Sequence, residues 1–176
     1  MAVEIVFETH SISEDNERGI ASGWLPGRLS ERGRDLARDL GARRRDDRLA
    51  AVFSSDLTRA VETAAIAFAD SALPVRVDPR LRECDYGRLN GAPVDQLLPR
   101  SRFIVTPFPG GESYRGVVER VRDFLGDLEP YHGRRIIVIG HTATRWALQH
   151  LLEGSALEDL VDAPFDWRPG WLYRMT

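Results

Sequence analysis

Lysine is missing altogether. All 24 basic residues of this 176-residue chain are arginine, which rules out a Walker-type P-loop, a Schiff-base lysine and a lysine general base. Any anion must therefore be held by arginine, histidine or backbone N–H. Cysteine is nearly as scarce: Cys84 stands alone, so there is no internal disulfide and no cysteine-rich zinc site. A reducing compartment fits that usage. No apolar run approaches the roughly 18 residues of a membrane span, and the N-terminus lacks the basic and apolar regions of a signal peptide. A cytoplasmic protein without a membrane partner is expected. A nucleic-acid surface is not indicated either, because 24 basic residues face 27 acidic ones. The single dense basic run, Ala42 to Arg48, is broken by Asp46 and Asp47 and reads as a solvated helix end.

What is present suits one domain spanning residues 1–176, since 43% of the residues are hydrophobic and the length can bury one substantial core. Val3, Ile5 and Phe7 alternate with polar neighbours and predict a strand that stops at Glu8, Thr9 and His10. Ser30 is a candidate N-cap for a helix with Leu36, Ala37 and Leu40 on one face. The run through Val52 and Phe53 predicts a strand, Ser54, Ser55 and Asp56 a cap, and the Ala-rich stretch after them a helix. "LPVRVD" is a third strand candidate. An irregular loop with at most a weak helix near Val94 to Leu98 follows. Val117, Val118, Val121, Phe124, Leu125 and Leu128 recur at helical spacing. "RRIIVIGH" is a buried strand that again ends on a histidine, a helix is expected from about Ala143 to Leu152, and "FDWRPGWLYRM" closes as a last strand. Strands alternating with helices predict a three-layer α/β/α sandwich around a mostly parallel sheet.

Two strands end in histidine, His10 and His141, and one strand-to-helix junction, "SSDLTRA", carries Arg59 in its first turn. Each residue alone could serve packing or solvation. Parallel strands would bring all three to one rim, where arginine, histidine and helix N–H groups together make an anion site. Cysteine-phosphatase chemistry is excluded, because it needs cysteine, five intervening residues and then arginine, and the position after those five residues is Asn90. There is no D-x-D pair and no H-E-x-x-H helix.

The ordered fragments "ETHSISEDNERG", "GRLSERGRDLA", "FSSDLTRAVETA", "LRECDYGRLNG", "FPGGESY" and "VIGHTATRWALQHLL" cover nearly the whole chain. In that order and spacing they resemble the histidine phosphatase superfamily, with its phosphoglycerate-mutase-like fold. The resemblance implies that His10 is the nucleophile, that Arg59 and His141 are phosphate ligands, that Glu83 is the proton donor, and that Asn16 is a secondary phosphate or substrate contact. It implies a small phosphorylated metabolite or phosphoprotein as substrate; no cofactor is expected, and with no carboxylate cluster and no His/Cys set at ligand spacing, no metal is expected either.

One position departs from the family pattern. Where the first motif normally reads Arg-His-Gly, this chain reads Thr9-His10-Ser11. A charge-assisted hydrogen bond contributes roughly 1.5–3 kcal/mol, so an uncompensated loss would be serious. Thr9 and Thr142 can still offer hydroxyl hydrogen bonds, and Arg145 or Arg18 are candidates to supply the missing cation. The expectation is a phosphomonoester phosphatase acting through phospho-His10. The alternatives are a phosphate- or phosphoprotein-binding module that lost turnover with Thr9, and, less favoured, a mutase, for which the stretch between Glu83 and "PGGES" is short. The loop from Arg88 to Phe108 should line the leaving-group pocket but carries no readable motif, and no feature specifies an oligomeric state.

Overall fold

The computed structural model describes residues 1–176. In chain order its elements are β1 (Val3–Thr9), α1 (Glu14–Glu17), β2 (Ile20–Ala21), α2 (Glu31–Arg44), β3 (Leu49–Ser54), α3 (Thr58–Ala67), β4 (Val75–Val77), β5 (Ala92–Pro93), α4 (Tyr114–Gly126), β6 (Arg135–Gly140), α5 (Thr142–Glu153), α6 (Leu157–Leu160) and β7 (Trp171–Met175). Five strands form one sheet in the order β4-β3-β6-β1-β7. The first four run parallel, and β7 lies antiparallel against β1.

Strand parity divides the core. Ile5, Phe7, Ile136 and Val138 join the large apolar cluster with α4 and α5, whereas Val6, Val52, Ile137 and Ile139 face Leu40 of α2 and Ala60 and Ala64 of α3. Residues i and i+2 share a sheet face, so both faces are covered and the sheet is the middle of three layers. Helices α2 and α4 start where serines cap them, Ser30 accepting from the Gly33 N–H and Ser113 from the Gly116 N–H, each at 3.1 Å. The expected cap before α3 is different: Leu57 occupies the cap position without a side-chain bond, and Asp56 instead pairs with Arg82 at 2.7 Å. The weak helix near Val94 resolves into short 3₁₀ turns, Val94–Leu97 and Arg100–Phe103.

The basic run is a solvated helix end only in part, with Arg45, Asp46 and Arg48 exposed. Arg43 and Arg44 turn inward onto Glu8, which is 2% exposed, at 3.2 and 2.7 Å. A buried carboxylate on the α2 side of β1 needs such partners, and the sequence pattern could not show that the run ends against the sheet.

Candidate active site

His10 follows directly from β1, and its backbone N–H donates to the Gly140 carbonyl at the end of the neighbouring strand β6, at 2.8 Å. Its Nδ1 lies 2.6 Å from the Ser11 carbonyl oxygen. A carbonyl only accepts, so Nδ1 carries the proton and Nε2 carries the lone pair. The next residue is pinned on both sides. Ser11 Oγ donates to the Gly33 carbonyl of α2 at 2.5 Å, and the Ser11 N–H donates to Thr63 Oγ1 of α3 at 2.9 Å. Burial, and then the positive charge of Arg59, lower the His10 pKa to about 3 against the opposing pull of the Ser11 carbonyl. The free protein therefore holds this imidazole neutral.

Arg59 is 3% exposed. Its guanidinium donates to the Gly23 carbonyl at 2.8 Å and the Leu25 carbonyl at 3.3 Å, tying the loop after β2 to α3. That same loop reaches Glu83, because Trp24 Nε1 donates to the Glu83 carbonyl at 2.7 Å. Glu83 Oε1 accepts the N–H groups of Cys84 and of Ala143 in the first turn of α5, at 2.8 and 3.2 Å. Burial raises the Glu83 pKa, with the Cys84 N–H, Arg59 and the Ala143 N–H pulling the other way. His141 caps α5 at the end of β6, with its ring centroid 5.0 Å from that of His10. Its Nε2 pairs with Ser55 Oγ at 2.9 Å, and its Nδ1 is buried without a partner. Burial, Arg59 and His10 hold its pKa well below the ordinary value, so it is neutral in the free protein.

His10, Arg59 and Glu83 line a cleft of about 260 Å³ into which Asn16, Thr142 and Arg145 also open, while His141 is fully buried and does not itself line it. Asn16 Oδ1 is occupied by the N–H and hydroxyl of Ser13, at 3.0 and 2.9 Å, which leaves its NH₂ group for a ligand. Thr9 lines an adjoining groove of about 670 Å³ that shares His10, Asn16, Thr142 and Phe165 with the cleft. Arg18 does not reach either space. It is exposed and paired with Asp15 at 2.8 Å, so it is not available to compensate at position 9.

Two residues escaped the sequence reading. Arg100 lines the cleft from the loop between Arg88 and Phe108, where no spacing distinguishes it from Arg88 or Arg102. Ser55 looked like a helix cap but holds His141. A roomier depression of about 890 Å³ lies elsewhere, among Met1, Glu4, Asp47 and Arg135, and contains none of this chemistry. No group of three His, Cys, Asp or Glu side chains is arranged to hold a metal ion. Cys84 is buried, and burial raises its thiol pKa far out of the reactive range. No helix is long and apolar enough to cross a membrane.

Residues 5–167 match the model of the histidine phosphatase superfamily, branch 1. Phosphoserine phosphatase 1 of Hydrogenobacter thermophilus is 30% identical over 165 residues, an alignment covering 88% of this chain and 78% of the relative. A 2,3-bisphosphoglycerate-dependent phosphoglycerate mutase of a Methylobacterium species is 32% identical over 173 residues, covering 89% and 83%. Among solved structures, a mycobacterial glucosyl-3-phosphoglycerate phosphatase complexed with VO3 superposes with a TM-score of 0.78 at 30% identity, covering 89% of this chain and 85% of that one.

Proposed function

Since the chain belongs to the histidine phosphatase superfamily, we propose that it is a phosphomonoester phosphatase that works through a phosphohistidine on His10. The observation that carries this reading is the Nδ1 bond to the Ser11 carbonyl, which leaves the Nε2 lone pair free beside Arg59 and His141. Nε2 attacks phosphorus as the bond to the leaving oxygen breaks, and Glu83 gives that oxygen its proton. Water then attacks the phosphorus, Glu83 takes the water's proton, and the P–N bond breaks to return neutral His10. Arg59 balances charge on the transferring oxygens. The unpartnered Nδ1 of His141 gains a phosphate oxygen as partner, and a dianion beside it favours proton uptake there.

The substrate we favour is a small phosphorylated metabolite with a second anionic group. The cleft holds Arg59, Arg100 and Arg145 against the single acid Glu83. Phosphoserine and glucosyl-3-phosphoglycerate, named for the relatives, are both phosphorylated carboxylic acids. Threonine at position 9 favours a second reading, a phosphate-binding module without turnover.

Incubation with a labelled phosphomonoester followed by rapid denaturation separates the two. Label that is acid-labile and alkali-stable, and that disappears in His10→Ala, is the expected result. Label surviving His10→Ala moves the nucleophile elsewhere. Phosphate binding with neither trapped label nor turnover supports the binding module.

A further inference from the structure

We propose that Arg145, reaching in from α5, supplies the second cationic contact to the transferring phosphoryl group, the contact that position 9 of β1 cannot make. This rests on the reading of His10, Arg59 and His141 as the phosphoryl site. A phosphate monoester is close to a dianion at neutral pH, and of the three residues read as the phosphoryl site only Arg59 brings a permanent positive charge. Both histidines arrive neutral. Thr9 adds a hydroxyl at most, so the site is one cation short unless another element provides it.

Three observations point to Arg145. The first is position. It lies four residues after His141, which puts both on one face of the helix start, and its side chain lines the same cleft as His10, Arg59 and Glu83. The second is the face of the sheet. Thr9 follows Phe7 by two residues, so strand parity aims it to the α5 side, the side of Phe7 in the large cluster. A guanidinium from α5 therefore comes from the layer toward which position 9 points. The third is the absence of a resident partner. Arg145 Nε is buried with no hydrogen bond, its NH1 makes only a 3.4 Å contact to Gln149 Oε1, and its guanidinium lies 5.0 Å from the Trp171 ring centroid. No carboxylate lies within ion-pair distance of it, whereas Arg43, Arg44, Arg80, Arg82 and Arg120 all have one. A guanidinium held in this way against an aromatic face, beside an anion-sized cleft, is oriented before any ligand arrives.

Arg100 is the other unassigned arginine of the cleft, but it belongs to the loop on the leaving-group side. Its backbone N–H is tied to Asp162 at 2.6 Å, and hydrogen bonds from Ser101 and from this N–H hold that carboxyl's pKa below its ordinary value. It suits a second anion on the substrate better than the reacting phosphoryl.

The test is the affinity for orthophosphate, measured by calorimetric titration, together with hydrolysis of an aryl phosphate, for wild type, Arg145→Gln, Arg145→Lys, Thr9→Arg and Thr9→Arg/Arg145→Gln. Arg145→Gln should weaken orthophosphate binding about ten- to a hundredfold with an unchanged thermal midpoint, and Arg145→Lys should lose less. Thr9→Arg alone should give no gain, because two guanidinium groups then compete for one place. In the Arg145→Gln background the same change should restore at least tenfold. That rescue is something a purely structural arginine would not show. Orthophosphate affinity within twofold of wild type in Arg145→Gln, or an equal gain from Thr9→Arg in both backgrounds, overturns the proposal. Because phosphate binding is read without turnover, a protein that hydrolyses nothing but still loses affinity in Arg145→Gln defeats the phosphatase reading and keeps this one.

Discussion

Glu83 must be a proton donor in one half of the proposed cycle and an acceptor in the other, and its surroundings prepare it for both. Burial raises its pKa, while two backbone N–H groups on Oε1 keep the ionised form accessible. Glu83→Gln should therefore lower kcat/KM far more for an alkyl phosphate, about a hundredfold or more, than for an aryl phosphate whose leaving group needs no proton. Equal losses on both would remove Glu83 from the acid role. Glu83 was legible as an acid candidate because of its place in "LRECDYG". The neutral state of His141 was not, since it arises from how deeply the end of β6 lies beneath α5 and how close the other ring and Arg59 come. Ser55 was hidden for a related reason: a serine before a helix reads as a cap, and only the crossing of β3 beside β6 brings its hydroxyl to the histidine.

At the scale of elements, the candidate site depends on how closely α2 approaches the loop that follows His10. A β-carbon on Gly33 would overlap the Ile12 carbonyl, and the Gly33 carbonyl itself receives the Ser11 hydroxyl. In an exposed helix, alanine for glycine stabilises by about 1 kcal/mol. Here Gly33→Ala should do the opposite, lowering the thermal midpoint and cutting kcat at least tenfold, because the helix can only retreat by dragging Ser11 and the His10 backbone with it. A raised midpoint with full activity would refute this contact. The helix itself was readable from Ser30 and the spacing of Ala37 and Leu40. Its tight seating was not, because nothing in the pattern says where a glycine within a helix meets backbone. The same limit explains the basic run at its end: charge spacing indicates exposure, but Glu8 lies buried one strand away and draws Arg43 and Arg44 inward.

For the whole molecule, two imidazoles buried in the neutral form make stability depend on pH. The unfolded chain takes up protons on His10 and His141 below about pH 6.5, while the folded protein does not until far lower, at about 3 for His10. Stability is therefore full above pH 6.5 and falls as the pH drops below it, by about 1.4 kcal/mol per pH unit for each histidine. Glu83 acts in the opposite sense, because its folded pKa is raised and it favours the folded state at lower pH. With two groups against one, unfolding free energy measured in urea should decline from pH 6.5 towards pH 5, and His10→Asn/His141→Asn should flatten the decline. A flat wild-type profile would mean that the rings are solvated. The three-layer architecture was legible because the strands alternate with helices and the sheet has a buried face on each side. The antiparallel pairing of β7 with β1 was not, because periodicity carries no direction. That last strand also places Trp171 under Arg145, and the other three tryptophans stand nearby: Trp24 over Glu83, Trp146 in the cleft wall and Trp167 beside the adjoining groove. All of the indole emission of the protein thus originates around the candidate site, so its occupancy should be visible in ultraviolet fluorescence without any dye, with Trp171 reporting when the guanidinium above it turns towards an anion.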